Sequence, residues 1–152
     1  MKIVPLEKTH LSQVNKLLHK TFDDYNKYHT FEQSTEYFHV RKNRSLFWKC
    51  WVLLNGSKVI GITGLYETKK NGEVWVGWYC IDKAYRGKGY GRNLLRWTIA
   101  QAKRRGYHTL KLWTSDAKAE AAAQFLYESL GLKKYRSVKN RTHRNIYRAK
   151  VL

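Results

Sequence analysis

The apolar residues of this chain are most continuous at residues 75–81, which form a β-prone run. Such a run is long enough for a strand that is buried on both faces. Residues 82–85 end the run, and three glycines follow within residues 87–91. Apolar residues then recur at helical spacing until Gly106, a natural C-cap. The pattern therefore predicts a central strand, a tight turn and a helix.

Strand patterns also precede this central unit. Residues 2–6 favour a short first strand, and residues 47–54 and 58–66 favour two longer ones. Asn55-Gly56 lies between the longer strands and is a strong hairpin signal. The first half of the chain therefore predicts at least three strands.

Two helices are predicted between the first strand and the hairpin. Thr9 is suited to cap a helix that continues to about Phe22. Thr30 and Gln33 fit a capping box for a second helix, which would continue to about Val40.

The end of the chain predicts one more strand, one helix and a closing hairpin. Residues 109–113 favour a strand, and Asp116 is suited to cap a helix. Residues 132–138 and 145–151 favour two antiparallel strands. The predicted order is β-α-α-β-β-β-α-β-α-β-β. The predicted inner face of the last helix carries Ala122, Phe125, Leu126 and Leu130.

The turn after the central strand reads R-G-K-G-Y-G-R over residues 86–92. Glycines allow successive backbone N–H groups to point at one place, and a helix N-terminus adds free N–H groups and positive potential. This combination binds phosphate. A dinucleotide fingerprint that starts at Gly87 would need glycine or alanine where this chain has Arg92. A P-loop would need G-K-[ST], which is absent.

Composition excludes several classes of protein. The chain has 152 residues, 43% of them apolar, which favours one folded domain over disorder. No apolar run reaches the length of a membrane span, and no apolar leader is present. Two cysteines are too few for a disulfide scaffold or a zinc cluster, so a cytoplasmic location is expected and no metal site is predicted. The formal net charge of +19 favours anionic partners.

Two motifs in the second half are similar to those of the GNAT superfamily of N-acetyltransferases. They are I-D-x-x-Y-R-G-x-G-x-G at residues 81–91 and F-L-Y-E-S-L-G-L at residues 125–132, where Leu132 replaces the usual phenylalanine. The predicted element order also matches. The resemblance implies a mixed α/β (α+β) GNAT fold over residues 1–152, with a mostly antiparallel central sheet of about seven strands and four helices.

The resemblance also implies acetyl-CoA as the cofactor. Its pantetheine arm would pair with the exposed backbone of Tyr79, Cys80 and Ile81, as an added strand pairs with a sheet edge. The pyrophosphate would lie on the turn. The turn residues predicted to bind it are Arg86, Gly87, Lys88, Gly89, Tyr90, Gly91 and Arg92.

The implied reaction is direct attack of a primary amine on the thioester. Tyr127 matches the family tyrosine that faces the sulfur, and a phenol of pKa ~10 can donate to a thiolate of pKa ~8.5. Some family members carry a catalytic glutamate at the position of Trp75. Glu73 is two residues earlier and so points to the same face of the strand, and Glu67 lies across the hairpin from it. Either could relay a proton through water, or be a solvated carboxylate. Glu120 replaces an asparagine that often contacts pantetheine.

The leading interpretation is an acetyl-CoA-dependent N-acetyltransferase whose acceptor is a small amine, a peptide N-terminus or a lysine. The alternative is a basic nucleic-acid- or ribosome-associated module with weak or no catalysis, which the charge and six tryptophans permit. Acetylation of a nucleic-acid-bound protein, such as a ribosomal protein, would reconcile the two. No membrane partner is expected, and homodimer formation stays open.

Acidic residues are scarce, and four of the eleven fall within residues 23–36, in the region of the first two helices that forms the acceptor lip of GNAT folds. Carboxylates and aromatic rings would suit a cationic amine. The alternative is that these residues serve helix ends and the core. The four are Asp23, Asp24, Glu32 and Glu36, and the interleaved aromatic residues are Phe22, Tyr25, Tyr28, Phe31, Tyr37 and Phe38.

Overall fold

The computed structural model describes residues 1–27, 29–35 and 46–152. Within these ranges the α-helices and strands follow the predicted order. They are β1 (Lys2–Pro5), α1 (Leu11–Thr21), α2 (Phe31–Thr35), β2 (Trp48–Asn55), β3 (Lys58–Tyr66), β4 (Glu73–Ile81), α3 (Tyr90–Arg104), β5 (Thr109–Ser115), α4 (Ala121–Ser129), β6 (Lys133–Lys139) and β7 (Arg144–Val151).

The strands form one seven-stranded sheet in the order β1-β2-β3-β4-β5-β7-β6. β4 and β5 are parallel, whereas the other neighbours are antiparallel. This is the mostly antiparallel mixed sheet that the sequence predicts. The parallel pair is possible because α3 connects its two strands and covers one face.

The core lies on both faces of the sheet. On one face, α1 buries Val14, Leu17 and Leu18 against β2 and β3. On the other, Leu95 of α3 and Tyr127 of α4 pack in a cluster with apolar residues of β4 and β5. None of the helices in the described ranges combines the length and the apolar character that a bilayer crossing requires.

Local signals predicted several details correctly. Asn55 ends β2, and Gly56 has the positive φ of 59° that a tight hairpin requires. The capping box also forms. The backbone N–H of Gln33 donates to Thr30 Oγ1 at 3.2 Å, and the side-chain Oε1 of Gln33 accepts from the backbone N–H of Thr30 at 3.1 Å. The predicted continuation of this helix to Val40 lies outside the described residues after Thr35.

The predicted start of α4 is wrong. Asp116 does not cap this helix, because its carboxylate accepts the Arg144 N–H at 2.7 Å. A 3-10 turn at Lys118–Glu120 comes first, and the helix begins at Ala121. Of the predicted inner face, Leu126 and Leu130 pack against the core, whereas Phe125 is 79% exposed and Tyr127 is buried instead.

The α3 core contact gives a prediction about stability. Leu95→Ala should lower the free energy of unfolding by about 3 kcal/mol, because it opens a cavity in a fully buried site. The neighbouring Arg96 is exposed on the same helix, so Arg96→Ala should change stability by less than about 0.5 kcal/mol. Urea unfolding measures both. Equal losses for the two variants would contradict this packing.

Candidate active site

β4 and β5 begin as neighbours and then separate. They pair only at Glu73 with Thr109, Val74 with Leu110 and Trp75 with Lys111. From Val76 onward, the edge of β4 that faces β5 has no strand partner in the described chain. A cleft with one open strand edge therefore lies between them.

A bulge in β4 accompanies this separation. Gly77 pairs with Gly64, and Cys80 pairs with Ile62, so two residues of β4 lie opposite one residue of β3. One of the two, Trp78, has φ 52°, which is unusual for a bulky residue. Bulges bend a strand and increase its local twist, so this one turns the end of β4 away from β5.

The bulge also reverses which side chains of β4 face α3. Val74 and Val76 pack on the α3 side before the bulge, and Ile81 packs there after it. Trp78 instead faces α1, where its ring makes edge contacts to Phe22 at 5.6 Å and to Tyr25 at 5.3 Å. These contacts stabilise the strained residue.

The three β4 residues predicted to contact pantetheine have buried or engaged side chains. The Tyr79 hydroxyl donates to the Gly91 carbonyl at 2.8 Å. Cys80 and Ile81 are 5% and 6% exposed, and burial raises the pKa of the Cys80 thiol to about 12. What these residues offer to the cleft is therefore their backbone.

The glycine-rich turn follows directly. Gly87 and Gly89 have φ 75° and 81°, and a Cβ at either would point into open space. Asp82 begins the turn by accepting the Ala84 N–H at 3.0 Å. The Asn93 N–H bonds the Gly89 carbonyl at 3.0 Å, so the N–H groups of residues 90–92 precede the first helical bond. The turn thus offers N–H donors to an anion.

Three cations surround these donors. Nε of Arg86 donates to the Ile81 carbonyl at 2.9 Å, which fixes the end of β4 to the turn. Lys88 Nζ lies 5.7 Å from the centre of the Tyr85 ring, and Arg92 is exposed at the first turn of α3. N–H donors and positive charge together fit a pyrophosphate.

Tyr127 lies on the α3 side of the cleft, 6.2 Å from Tyr79 between ring centres. Its side chain is 7% exposed, and its hydroxyl has no hydrogen-bond partner in the part of the chain that the structure describes. Burial raises the pKa of Tyr127 far above its ordinary value, and the charge of Glu120 and the nearby Cys80 add to this effect. Tyr127 therefore keeps its proton at every physiological pH.

A buried arginine on β7 holds the helix that carries Tyr127. Arg148 is 3% exposed and donates from Nη2 to Gln124 Oε1 at 2.9 Å and to Glu128 Oε1 at 3.0 Å. It also donates to the Leu132 carbonyl at 3.1 Å. Sequence reasoning missed this role. The sequence did contain a signal for it. Arg148 comes two residues after the inward-facing Ile146 on the same strand, and such residues point to the same face.

Glu120 joins the end of β5 to the start of α4. Its carboxylate accepts hydrogen bonds from the Thr114 hydroxyl, from the Ser115 N–H at 2.8 Å and from the Ser115 hydroxyl at 2.9 Å. The position at which the family often carries an asparagine is therefore used here for an internal contact.

Glu67 and Glu73 lie at the end of β4 opposite the glycine turn. Glu67 is 8% exposed, and this burial opposes ionisation of its carboxyl. The Phe47 N–H at 2.9 Å and the Lys70 ammonium at 3.0 Å nevertheless hold the pKa of the carboxyl below its usual value. Glu73 accepts from Lys111 Nζ at 2.6 Å, which lowers the pKa of its carboxyl. Both carboxylates are therefore ionised and partnered.

The remaining predicted site residues are only partly described. Asp23 and Asp24 belong to a short 3-10 helix, Asp23–Lys27, and Glu32 belongs to the first turn of α2. Glu36, Tyr28, Tyr37 and Phe38 lie outside the described residues. Among the described residues, no three His, Cys, Asp or Glu side chains form a group that could hold a metal ion.

Sequence comparison identifies related proteins. The sequence model of the Acetyltransferase (GNAT) family matches residues 14–132. The N-acetylaspartate synthetase of Xenopus tropicalis is 33% identical over 98 residues, which are 64% of this chain and 34% of that protein. The chain spans about a third of the length of the curated relatives that it matches.

Solved structures share the whole fold. The ribosomal-protein-S18-alanine N-acetyltransferase of Escherichia coli superimposes with a TM-score of 0.75 at 23% identity, covering 97% of this chain and 91% of that one. A Bacillus subtilis acetyltransferase, solved in complex with CoA, gives 0.75 at 16% identity and covers 99% and 98%. With the family match over most of its length, this chain belongs to the GNAT family of acetyltransferases, which use acetyl-CoA.

Proposed function

We propose that this chain transfers the acetyl group of acetyl-CoA to a primary amine by direct attack. The observation that carries the proposal is the arrangement around one cleft. The open edge of β4 and the glycine turn border it. The hydroxyl of Tyr127, which has no hydrogen-bond partner among the described residues, lies on its α3 side. The first two suit a long anionic cofactor, and the third suits proton donation to a leaving group.

Acetyl-CoA supplies an acetyl group activated as a thioester. We propose that the backbone of Tyr79, Cys80 and Ile81 pairs with its pantetheine arm, because unpaired strand groups need partners. The N–H groups of residues 87–92 would hold the pyrophosphate, with Arg86, Lys88 and Arg92 adding charge. A backbone N–H of β4 would stabilise negative charge that develops on the carbonyl oxygen.

Tyr127 is proposed as the proton donor. Its raised pKa keeps the proton on Tyr127 in the resting state and opposes complete transfer, so its hydroxyl would act first by donating a hydrogen bond to the thiolate that forms beside it. Arg148 would act as a positioning residue, since its hydrogen bonds to Gln124 and Glu128 fix α4 on both sides of Tyr127.

Glu73 and Glu67 remain the proposed bases, acting through water. Glu73 is nearer to the fork between the strands, because its partner Lys111 is the last residue of β5 that pairs with β4. Glu67 is held by three hydrogen-bonded groups, including the Tyr107 hydroxyl at 3.0 Å, and this network favours a structural role for it. We therefore favour Glu73.

A nucleic-acid-associated module stays a second candidate function, because the chain has thirty Lys and Arg residues but only eleven Asp and Glu residues. Two names among the similar proteins bear on the acceptor. One names N-acetylaspartate, the acetylated form of an amine that carries carboxylates, and the other names a ribosomal protein. Both are compatible with a primary amine. The unpaired thiols of Cys50 and Cys80 agree with a cytoplasmic location, which we also propose.

CoA binding tests the cleft. CoA at 100 to 1,000 times its dissociation constant should stabilise the protein by roughly 2–4 kcal/mol. Gly89→Asp should abolish this effect, because it adds a carboxylate where phosphate would lie. Gly56→Asp is the matched control, since Gly56 also has positive φ and open space around it but lies in the β2–β3 hairpin. Thermal unfolding with and without CoA measures both. No shift for the unsubstituted protein in millimolar CoA would refute the proposal.

Tyr127→Phe tests the proton donor. The substitution removes one hydroxyl without a hydrogen-bond partner, so the variant should fold and bind CoA normally. Its turnover should fall by about 10- to 1,000-fold, the range for a positioned acid. Single-turnover acetyl transfer measures this step apart from product release. An unchanged single-turnover rate would remove Tyr127 from the mechanism.

A paired experiment should distinguish a catalytic role of Glu73 from a structural role of Glu67. Glu73→Gln should lower turnover by about 100-fold and shift its pH dependence upward, because the amine must then lose its proton to solvent. Glu67→Gln should instead lower stability by about 1–3 kcal/mol. This loss should be complete above the unfolded-state pKa of Glu67 and should vanish as pH falls through its lowered folded-state pKa. Identical kinetics for Glu73→Gln and the parent would exclude Glu73 as the base.

A further inference from the structure

A group of aromatic and cationic side chains occupies the other side of the sheet from α3 and α4. The strand register puts them on one face, since Trp75 pairs with Lys111, and Trp113 pairs with Tyr147, which pairs with Arg136. We call this group the cationic–aromatic face. Its members are Trp75, Lys111, Trp113, Tyr135, Arg136 and Tyr147.

The rings of this face contact one another but do not form a buried core. The Tyr147 ring lies 6.4 Å from Trp75 and 6.3 Å from Tyr135 between ring centres. Trp113 and Tyr135 are nevertheless 50% and 51% exposed. Two large exposed rings beside two half-buried ones on one face are characteristic of a binding surface.

Positive charge lies directly on these rings. Lys111 Nζ is 5.8 Å from the ring centres of both Trp75 and Tyr135, and the Arg136 guanidinium is 5.5 Å from that of Tyr147. Glu73 is the one acidic residue in strands β4, β5, β6 and β7, and Lys111 already pairs with it. In the described part of the chain Arg136 has no carboxylate partner, so the face has an uncompensated cation.

This face adjoins the fork of the cleft. Lys111 is the last residue of β5 that pairs with β4, and Trp113 is the next residue on the same side of β5, beyond the fork. Tyr127 lies on the opposite side of the sheet. A molecule that approaches the cleft across from Tyr127 would therefore contact the cationic–aromatic face.

We propose that this face binds the acceptor, and that the acceptor is a primary amine that also carries a carboxylate. The inference rests on the proposed acetyl transfer and adds the substrate class. Arg136 can bind a carboxylate with two parallel hydrogen bonds, and the rings cover the apolar part of the acceptor. A polycationic amine would instead meet the like charges of Lys111 and Arg136 on the face.

The test compares acceptors that share an amine and differ in charge. They are L-aspartate, its diamide, which keeps the amine but has no carboxylate, spermidine, and short peptides that begin with aspartate or with lysine. The proposal expects kcat/KM to be at least about tenfold higher for an acidic acceptor than for its neutral counterpart, the scale of one charged hydrogen bond. Free aspartate and the aspartate peptide distinguish an amino acid from a peptide N-terminus.

Two variants on the same strand connect this preference to the face. Arg136→Gln should raise KM for the acidic acceptor by about tenfold and leave KM for acetyl-CoA within about twofold. Lys134→Gln is the matched control, because Lys134 is exposed on β6 but pairs with Arg148 and so belongs to the other face. It should change neither constant. Trp113→Ala should act like Arg136→Gln.

Each other outcome has a distinct meaning. Transfer to the diamide and to spermidine with the same kcat/KM as to aspartate would overturn this inference and leave acetyl transfer intact. Equal kinetics for Arg136→Gln and Lys134→Gln would do the same. Transfer to no amine despite CoA binding would overturn the proposed function as well. Arg136→Gln could instead abolish salt-sensitive binding of a single-stranded oligonucleotide and leave KM for the acceptor unchanged. This result would overturn the inference and show that the face binds nucleic acid.

Discussion

The separation of β4 from β5 is the constraint on which the rest of the site depends. Only three residue pairs hold the two strands together, and the bulge at Trp78 then turns β4 away. A strand in the middle of a sheet thereby has a free edge, which normally only an outer strand has. The aromatic contacts of Trp78 with Phe22 and Tyr25 offset the cost of its left-handed backbone.

The opposite wall of the cleft is held by polar groups. Arg148, Gln124 and Glu120 connect β7, α4 and the end of β5 through hydrogen bonds, and Thr114 and Ser115 are buried among them. A buried guanidinium is costly unless its donors are satisfied, and here three acceptors satisfy it. Among the described residues, the Tyr127 hydroxyl has no hydrogen-bond partner in this network, so its proton is available to a bound ligand.

The sequence was informative where local backbone chemistry decides the structure. The Asn55-Gly56 hairpin, the Thr30–Gln33 capping box and the positive φ values of Gly87 and Gly89 all follow from short-range rules. The start of α4 did not follow, because the Asp116 carboxylate accepts a tertiary hydrogen bond from Arg144 instead of capping the helix. Other contacts join residues 20 to 40 positions apart, which no local pattern reveals. They are those of Glu67 with Phe47 and Tyr107, of Glu73 with Lys111, and of Arg148 with Gln124.

Amide hydrogen exchange with and without CoA tests the central claim most directly, because it reports on backbone groups one segment at a time. The account predicts slower exchange in two stretches, Tyr79 to Ile81 and residues 87–92, since CoA would give their free N–H groups partners. Exchange in β1 should not change, because it lies at the far edge of the sheet. Binding of CoA with unchanged exchange in both stretches would contradict the account.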